Sequence, residues 1–133
     1  MTKRILLVDD ELDVIYTIKN ILEDNEFKVD TFNDPITALK SYTSNFYDLV
    51  ILDIKMPKMD GFELYNKIRE KDPKVKICFL TASEMYYEKF RKLRSELGRI
   101  IGEDCFIQKP IKNEDLIKTL TAIINSDITT MLN

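Results

Sequence analysis

The sequence predicts an α/β fold with a flavodoxin-like, doubly wound, five-stranded parallel sheet in strand order 2-1-3-4-5 and five helices. Short apolar runs alternate with amphipathic helical patterns along the chain, which is typical of repeated β-then-α units joined by right-handed crossovers. The runs at residues 5–8 and 49–52 are apolar at consecutive positions, so helices must cover both faces of these strands. Both runs end on aspartates, at the edge where open α/β sheets bind their ligands.

The predicted strands cover residues 4–8, 27–32, 49–52, 75–80 and 105–108. The predicted helices cover residues 11–25, 35–42, 62–72, 86–97 and 113–125. The apolar face of the first helix consists of Leu12, Ile15, Ile18 and Leu22. The second strand is more polar than the others, as an edge strand would be. Asp34 followed by Pro35 is typical of a helix N-terminus, and Asn113 is expected to cap the last helix.

Length and composition limit the classes of protein that fit. A chain of 133 residues with 44% hydrophobic content fits one compact domain, which we expect over residues 1–125, followed by a short C-terminal tail at 126–133. The formal net charge of −3 disfavours nucleic acid and anionic membranes as partners. Because the apolar runs are too short for a signal peptide or a membrane span, we expect a soluble cytoplasmic protein.

The residue types that are absent exclude several kinds of site. The chain contains no histidine, which excludes Ser-His-Asp and Cys-His nucleophiles, a His-containing metal site and a phosphohistidine on this chain. Cys78 and Cys105 lie in separate apolar runs without a CxxC pair, so we expect buried, reduced thiols.

Polar residues follow four of the predicted strands. Asp9 and Asp10 follow the first strand, Asp53 the third, Thr81 the fourth and Lys109 the fifth. In the predicted strand order the first and third strands are neighbours at the switch point, so the three aspartates should converge in one crevice. Carboxylates this close repel each other and raise each other's pKa unless a cation lies among them.

The residue types in this crevice favour metal-assisted phosphoryl chemistry. Oxygen ligands without His or Cys select Mg²⁺, Mn²⁺ or Ca²⁺, and Mg²⁺ held by few carboxylates keeps positions for water and a phosphoryl oxygen. Lys109 would supply a positive charge and Thr81 a hydroxyl donor. Taken singly, Asp10 or Thr81 is explained by helix capping and Lys109 as a surface lysine. Their coincidence at four strand ends favours the functional interpretation.

The predicted strand ends carry four motifs, which are LLVDDE at Leu6–Glu11, DLVILDIKMPKMDG at Asp48–Gly61, LTAS at Leu80–Ser83 and KP at Lys109–Pro110. In these motifs and their order, the sequence resembles the receiver domain of two-component response regulators from Lys3 to about Asn125. The resemblance implies a phospho-acceptor signalling switch of a phosphorelay that acts through protein contacts and is not an enzyme.

The resemblance also implies roles for the acidic residues. Asp53 is expected to accept a phosphoryl group from a phosphohistidine on a partner histidine kinase or phosphotransfer protein. Asp10, Asp53 and the backbone carbonyl of Lys55 are expected to bind Mg²⁺, with Asp9 helping through water.

The remaining motif residues are expected to sense the phosphoryl group. By the same resemblance, Thr81 and Lys109 contact the acyl phosphate, and the Lys109–Pro110 peptide bond is cis. Phe106 is expected to change rotamer on activation, and Thr81 and Phe106 are the candidate switch residues. One departure from the family is that Thr81 and Lys109 are 28 positions apart, several more than is usual. The departure concerns the signalling face and leaves the acceptor site unaffected.

Three functions remain to be compared. The leading hypothesis is a stand-alone switch, because little sequence follows the fifth helix; its output would pass to an unidentified protein target or through a phosphorylation-dependent homodimer. The rival is a Mg²⁺-dependent phosphatase or phosphotransferase with Asp53 as nucleophile, but Lys55 stands where such enzymes have a second acid. A receiver that binds partners without phosphorylation is disfavoured by the complete set of site residues.

Overall fold

The polypeptide alternates between strands and helices along its length. A computed structural model describes residues 2–82, 88, 106–110 and 112–125. The strands are β1 (Arg4–Val8), β2 (Lys28–Phe32), β3 (Leu49–Asp53), β4 (Lys76–Thr81) and β5 (Phe106–Gln108). The helices are α1 (Leu12–Asp24), α2 (Pro35–Ser41), α3 (Gly61–Lys71) and α4 (Asn113–Asn125). Helix α4 is the predicted fifth helix, whereas Cys105 and the predicted fourth helix except Glu88 lie outside the described residues.

The strands form one sheet with β3 at its centre. Their order is β2-β1-β3-β4-β5 and every neighbouring pair is parallel. The predicted fold class and strand order are therefore confirmed. All five residues of β3 are buried, whereas β2 at the edge is only partly buried. This difference explains why the third apolar run is continuous and the second run is more polar.

Alternate residues of the strands point into two separate hydrophobic cores. The core beneath α2 and α3 includes Leu6, Val8, Val50, Leu52, Ile77 and Phe79 from the sheet. The core beneath α1 and α4 includes Ile5, Leu7, Leu49, Ile51, Cys78, Leu80 and Ile107. Because helices cover both faces, a ligand can reach the sheet only at the ends of its strands. In open α/β sheets the ligand site lies at the carboxyl ends. Within the described residues, none of the helices combines the length and hydrophobicity that a membrane span requires.

Local signals set most helix boundaries, with two corrections. The Asp34 side chain caps α2 by accepting hydrogen bonds from the Thr37 N–H at 3.3 Å and hydroxyl at 2.7 Å, as predicted. Asn113 was predicted to be the cap residue that precedes α4, but it is the first residue of the helix. The Leu116 N–H donates to the carbonyl of Lys112, so the first helical hydrogen bond starts one residue before Asn113. Leu12 is exposed and does not join the buried face of α1. It is the first residue of that helix, next to the carboxyl end of β1, where the sheet ends.

A close approach of two backbones joins the start of α3 to the end of β3. The Gly61 N–H donates to the carbonyl of Ile54 at 2.7 Å. A Cβ atom at position 61 would lie 2.4 Å from the carbonyl oxygen of Asp53 and 2.8 Å from the Cα of Ile54. Only glycine fits this contact without displacing the backbone that carries Asp53.

Candidate functional site

A cleft of about 630 Å³ opens at the carboxyl ends of β1, β3, β4 and β5. Its walls include the predicted site residues Asp10, Asp53, Lys55, Thr81 and Lys109, together with Glu11. The predicted residue Asp9 is completely buried next to them. The strand ends therefore bring together the side chains that the sequence analysis assigned to one crevice.

Main-chain hydrogen bonds beyond the strands hold these residues in place. Asp53 pairs in register with Leu80 of β4, and the following N–H, that of Ile54, donates to the Leu80 carbonyl at 3.3 Å. The Lys109 N–H donates to the carbonyl of Thr81 at 2.7 Å. The Lys109–Pro110 peptide bond is cis, as the resemblance implied. The positions of Asp53, Thr81 and Lys109 thus follow from the register of the central sheet.

Four acidic side chains meet at this edge of the sheet. Asp9, Asp10, Glu11 and Asp53 each offer a carboxylate oxygen, and these oxygens all lie within 4.8 Å of one another. Glu11 was not among the residues predicted for this site. Its position directly after two strand-end aspartates is the sequence feature by which it could have been found. Four carboxylates at this distance need positive charge nearby.

Lys109 supplies part of that positive charge. Its Nζ lies 2.7 Å from Asp9 Oδ2, 3.8 Å from Asp53 Oδ1 and 3.8 Å from Glu11 Oε1. Burial alone lowers the pKa of Lys109, but the hydrogen bond to Asp9 and the surrounding carboxylates outweigh it, so the pKa is raised. The lysine is therefore held as a cation within the acidic cluster.

One ammonium group does not neutralise the cluster. Burial and then the charge of Asp9 raise the pKa of the Asp53 carboxyl to about 8, with smaller contributions from Asp10, while the charge of Lys109 acts in the opposite direction. A hard divalent cation among these oxygens would favour the ionised form of Asp53. The donor set contains only oxygen ligands, which fits Mg²⁺.

The two predicted switch residues lie on neighbouring strands. Thr81 is buried at the end of β4, and Phe106 is the partly buried first residue of β5. Phe106 pairs in register with Phe79 and packs against the core beneath α2 and α3. Thr81 itself pairs with Gln108, two positions further along β5, and the proposed coupling between Thr81 and Phe106 stays a prediction.

Comparison with known proteins gives matches along most of the chain. A family model described as the response regulator receiver domain matches residues 5–121. The transcriptional regulatory protein DltR of Streptococcus agalactiae is 33% identical over 114 residues, which cover 86% of this chain and 48% of DltR. The alkaline phosphatase synthesis transcriptional regulatory protein PhoP of Bacillus subtilis is 33% identical over 124 residues, which cover 93% of this chain and 49% of PhoP. The chain spans about half the length of these relatives.

Solved structures with the same architecture include two receiver domains. The non-phosphorylated HemR receiver domain from Leptospira biflexa has a TM-score of 0.80 at 30% identity, with 95% of this chain and 97% of that chain covered. The receiver domain of sensor histidine kinase PA1611 from Pseudomonas aeruginosa has a TM-score of 0.79 at 26% identity, with 95% and 100% covered. In that protein a magnesium ion is coordinated in the active site cleft.

Proposed function

Because this chain belongs to the response regulator receiver domain family, we propose that it is a phospho-acceptor switch of a two-component system with Asp53 as the acceptor. The observation that carries the proposal is the placement of Asp53. Its carboxylate ends the central strand and lies in the cleft, 3.8 Å from the Lys109 ammonium group and within 4.8 Å of the Asp9 and Asp10 carboxylates. The family match favours this function over the rival small-molecule phosphatase or phosphotransferase.

The proposed reaction is the transfer of one phosphoryl group to a carboxylate oxygen of Asp53. The oxygen attacks the phosphorus of a phosphohistidine on a histidine kinase or phosphotransfer protein. A P–O bond forms while the P–N bond breaks, and the departing imidazole keeps the bonding electron pair and takes up a proton. Water later attacks the same phosphorus, which breaks the P–O bond, restores the Asp53 carboxylate and releases inorganic phosphate with a proton.

The residues around Asp53 would assist both steps. Receiver domains are signalling domains and are generally not classed as enzymes, but positioned charges still affect how fast the phosphoryl group arrives and leaves. We assign the contacts to phosphoryl oxygens to Lys109, whose Nζ is already 3.8 Å from Asp53 Oδ1, and to the hydroxyl of Thr81.

The acidic residues would hold a Mg²⁺ ion. Asp10, Asp53 and the backbone carbonyl of Lys55 are the proposed ligands, with Asp9 acting through water. When bound, Mg²⁺ supplies positive charge to the phosphoryl oxygens. Support for this assignment comes from the oxygen-only donor set and from the raised pKa of Asp53. Burial raises that pKa most and the charge of Asp9 next, and a cation in the cleft would offset the repulsion from Asp9.

Output is proposed to pass through protein contacts. A hydrogen bond from Thr81 to the phosphoryl group would draw the end of β4 inward, and the Phe106 ring would move into the vacated space. The changed surface would bind a downstream protein or a second copy of the chain. The proposal includes a receiver domain over residues 1–125, a tail at 126–133 and a cytoplasmic location, with neither nucleic acid nor membrane as a partner of this domain.

Intact-mass measurement after incubation with acetyl phosphate and Mg²⁺ tests the proposal. The wild-type chain should gain one phosphoryl group, Asp53→Asn should gain none, and the exposed control Asp13→Asn should behave like the wild type. Retention of a single group per chain would also separate the switch from the rival enzyme, which would turn over many donor molecules. Undiminished, Mg²⁺-dependent labelling of Asp53→Asn would refute the assignment.

A further inference from the structure

Glu11 contacts the site without a role in the proposed function. Its Oε1 lies 3.8 Å from Lys109 Nζ, the same distance that separates Lys109 from Asp53. Glu11 is also the N-cap residue of α1, but its side chain makes no capping hydrogen bond there. The carboxylate is therefore not occupied by the structural task that its position would suggest.

The backbone of Glu11 is fixed next to Lys109 by a shared partner. Asp9 Oδ1 accepts a hydrogen bond from the Glu11 N–H at 2.9 Å, while Asp9 Oδ2 accepts one from Lys109 Nζ at 2.7 Å. Asp9 is completely buried, so water does not compete for its carboxylate oxygens in either contact. The hydrogen bond from the Glu11 N–H to Asp9 fixes the Glu11 backbone, and this position places the Glu11 carboxylate in the cluster.

The three carboxylates around Lys109 differ in their exposure. The side chains of Asp9 and Asp53 are 0% and 6% exposed, that of Lys109 is 13% exposed, and that of Glu11 is 63% exposed. Glu11 is thus an exposed negative charge at the mouth of the cleft, with a carboxylate oxygen within 4.8 Å of an oxygen of Asp53. Its charge attracts Lys109 and repels any further negative charge added to Asp53.

We propose that Glu11 is a positioning residue that restrains the Lys109 ammonium group and opposes negative charge on a phosphorylated Asp53, and thereby lowers the stability of the phosphorylated state. The inference rests on the proposed function, since it assumes that Asp53 carries the phosphoryl group. Lys109 has to turn from the acidic cluster toward phosphoryl oxygens, and Glu11 competes with those oxygens for it. Replacement of Glu11 by the neutral glutamine removes both the competition and the repulsion.

The test uses beryllofluoride, which stands in for the phosphoryl group on an aspartate. Affinity is measured by fluorine NMR on the whole chain, with Mg²⁺ at a concentration shown to saturate each variant. Glu11→Gln should bind beryllofluoride about two- to fivefold more tightly than the wild type, the size expected for one exposed charge. The gain should shrink in about 1 M salt, because an exposed charge is screened there.

Glu63→Gln is the matched control. Glu63 is, like Glu11, an exposed glutamate near the start of a helix, and the substitution changes the net charge equally. This variant should bind beryllofluoride like the wild type. Equal or weaker binding by Glu11→Gln, a salt-independent gain, or the same gain in Glu63→Gln would overturn the inference while the proposed function stands. Failure of the wild-type chain itself to bind beryllofluoride would instead refute the proposed function and this inference with it.

Discussion

The hydroxyl group of Tyr42 should contribute strongly to stability because it donates to a buried carboxylate. Tyr42 Oη donates to Asp72 Oδ2 at 2.9 Å, and the Asn45 N–H donates to the same oxygen at 3.1 Å. Both Tyr42 and Asp72 are buried, so water cannot replace a lost donor. The contact joins the end of α2 to the residue that follows α3, on the side of the sheet covered by those two helices.

Tyr42→Phe removes this hydrogen bond and keeps the aromatic ring in the core. A hydrogen bond to a charged group contributes about 1.5–3 kcal/mol, and leaving a buried acceptor short of a donor adds to the cost of losing it. Because Asn45 still donates to Asp72, we expect a loss of about 2 kcal/mol in the free energy of unfolding. For a domain of this size that loss lowers the thermal midpoint by roughly 6–10 °C.

Tyr47→Phe is a matched control for the effect of burial. Tyr47 Oη donates to Asp30 Oδ2 at 2.8 Å, so the same atom is removed from the same kind of contact, but on the surface. We expect a loss of less than about 1 kcal/mol, because water can hydrate the exposed Asp30. Urea unfolding of the three proteins measures both differences. If the losses in unfolding free energy for Tyr42→Phe and Tyr47→Phe agree within about 0.5 kcal/mol, burial of Asp72 does not determine the cost of losing the hydrogen bond.

The pH dependence of unfolding provides an independent check. Burial and the hydrogen bond to Asp72 raise the pKa of Tyr42, so the folded chain keeps this proton at pH values where the unfolded chain loses it. The resulting stabilisation is complete below about pH 10, the ordinary pKa of tyrosine, and is lost as pH rises toward the folded-state pKa. The difference between wild type and Tyr42→Phe should therefore shrink above about pH 10.

Three further predictions concern the metal site, the close contact at Gly61 and the coupling between Thr81 and Phe106. Mg²⁺ should raise the thermal midpoint of the unphosphorylated chain because it relieves repulsion among the carboxylates; no rise, or an equal rise in Asp10→Ala, would argue against the site. Gly61→Ala should destabilise the fold by about 1–3 kcal/mol in urea unfolding, because the new Cβ meets the backbone of β3, whereas Ala at exposed Lys67 should change it by less than about 0.5 kcal/mol. Similar losses in both variants would contradict the close approach. Thr81→Ala should still accept a phosphoryl group yet lose the NMR shifts that beryllofluoride produces at Phe106, and the coupling is wrong if wild-type shifts never reach that ring.

Several features of the fold and site were predictable from local patterns. A parallel strand buried on both faces requires apolar residues at consecutive positions, so residues 49–52 identified the central strand directly. Asp34 and Pro35 identified the start of α2 because their effect is confined to one helical turn. The strand order then brought Asp53 and Lys109 to one edge, since parallel strands all end at the same side of the sheet.

Only the tertiary structure decided which side chains touch. Asp9 and Lys109 are 100 positions apart and form a 2.7 Å ion pair, and Glu11 lies 3.8 Å from the same lysine. Periodicity could not show that Leu12 is exposed, because the pattern of a helix carries no information about where the sheet beneath it ends. Sequence patterns describe the faces of single elements, whereas distances between elements depend on strand register and on the rotamers that packing selects. The proposed acceptor Asp53 and its strand could therefore be identified in the sequence, whereas the contacts that affect the charge of Asp53 are determined only by the folded chain.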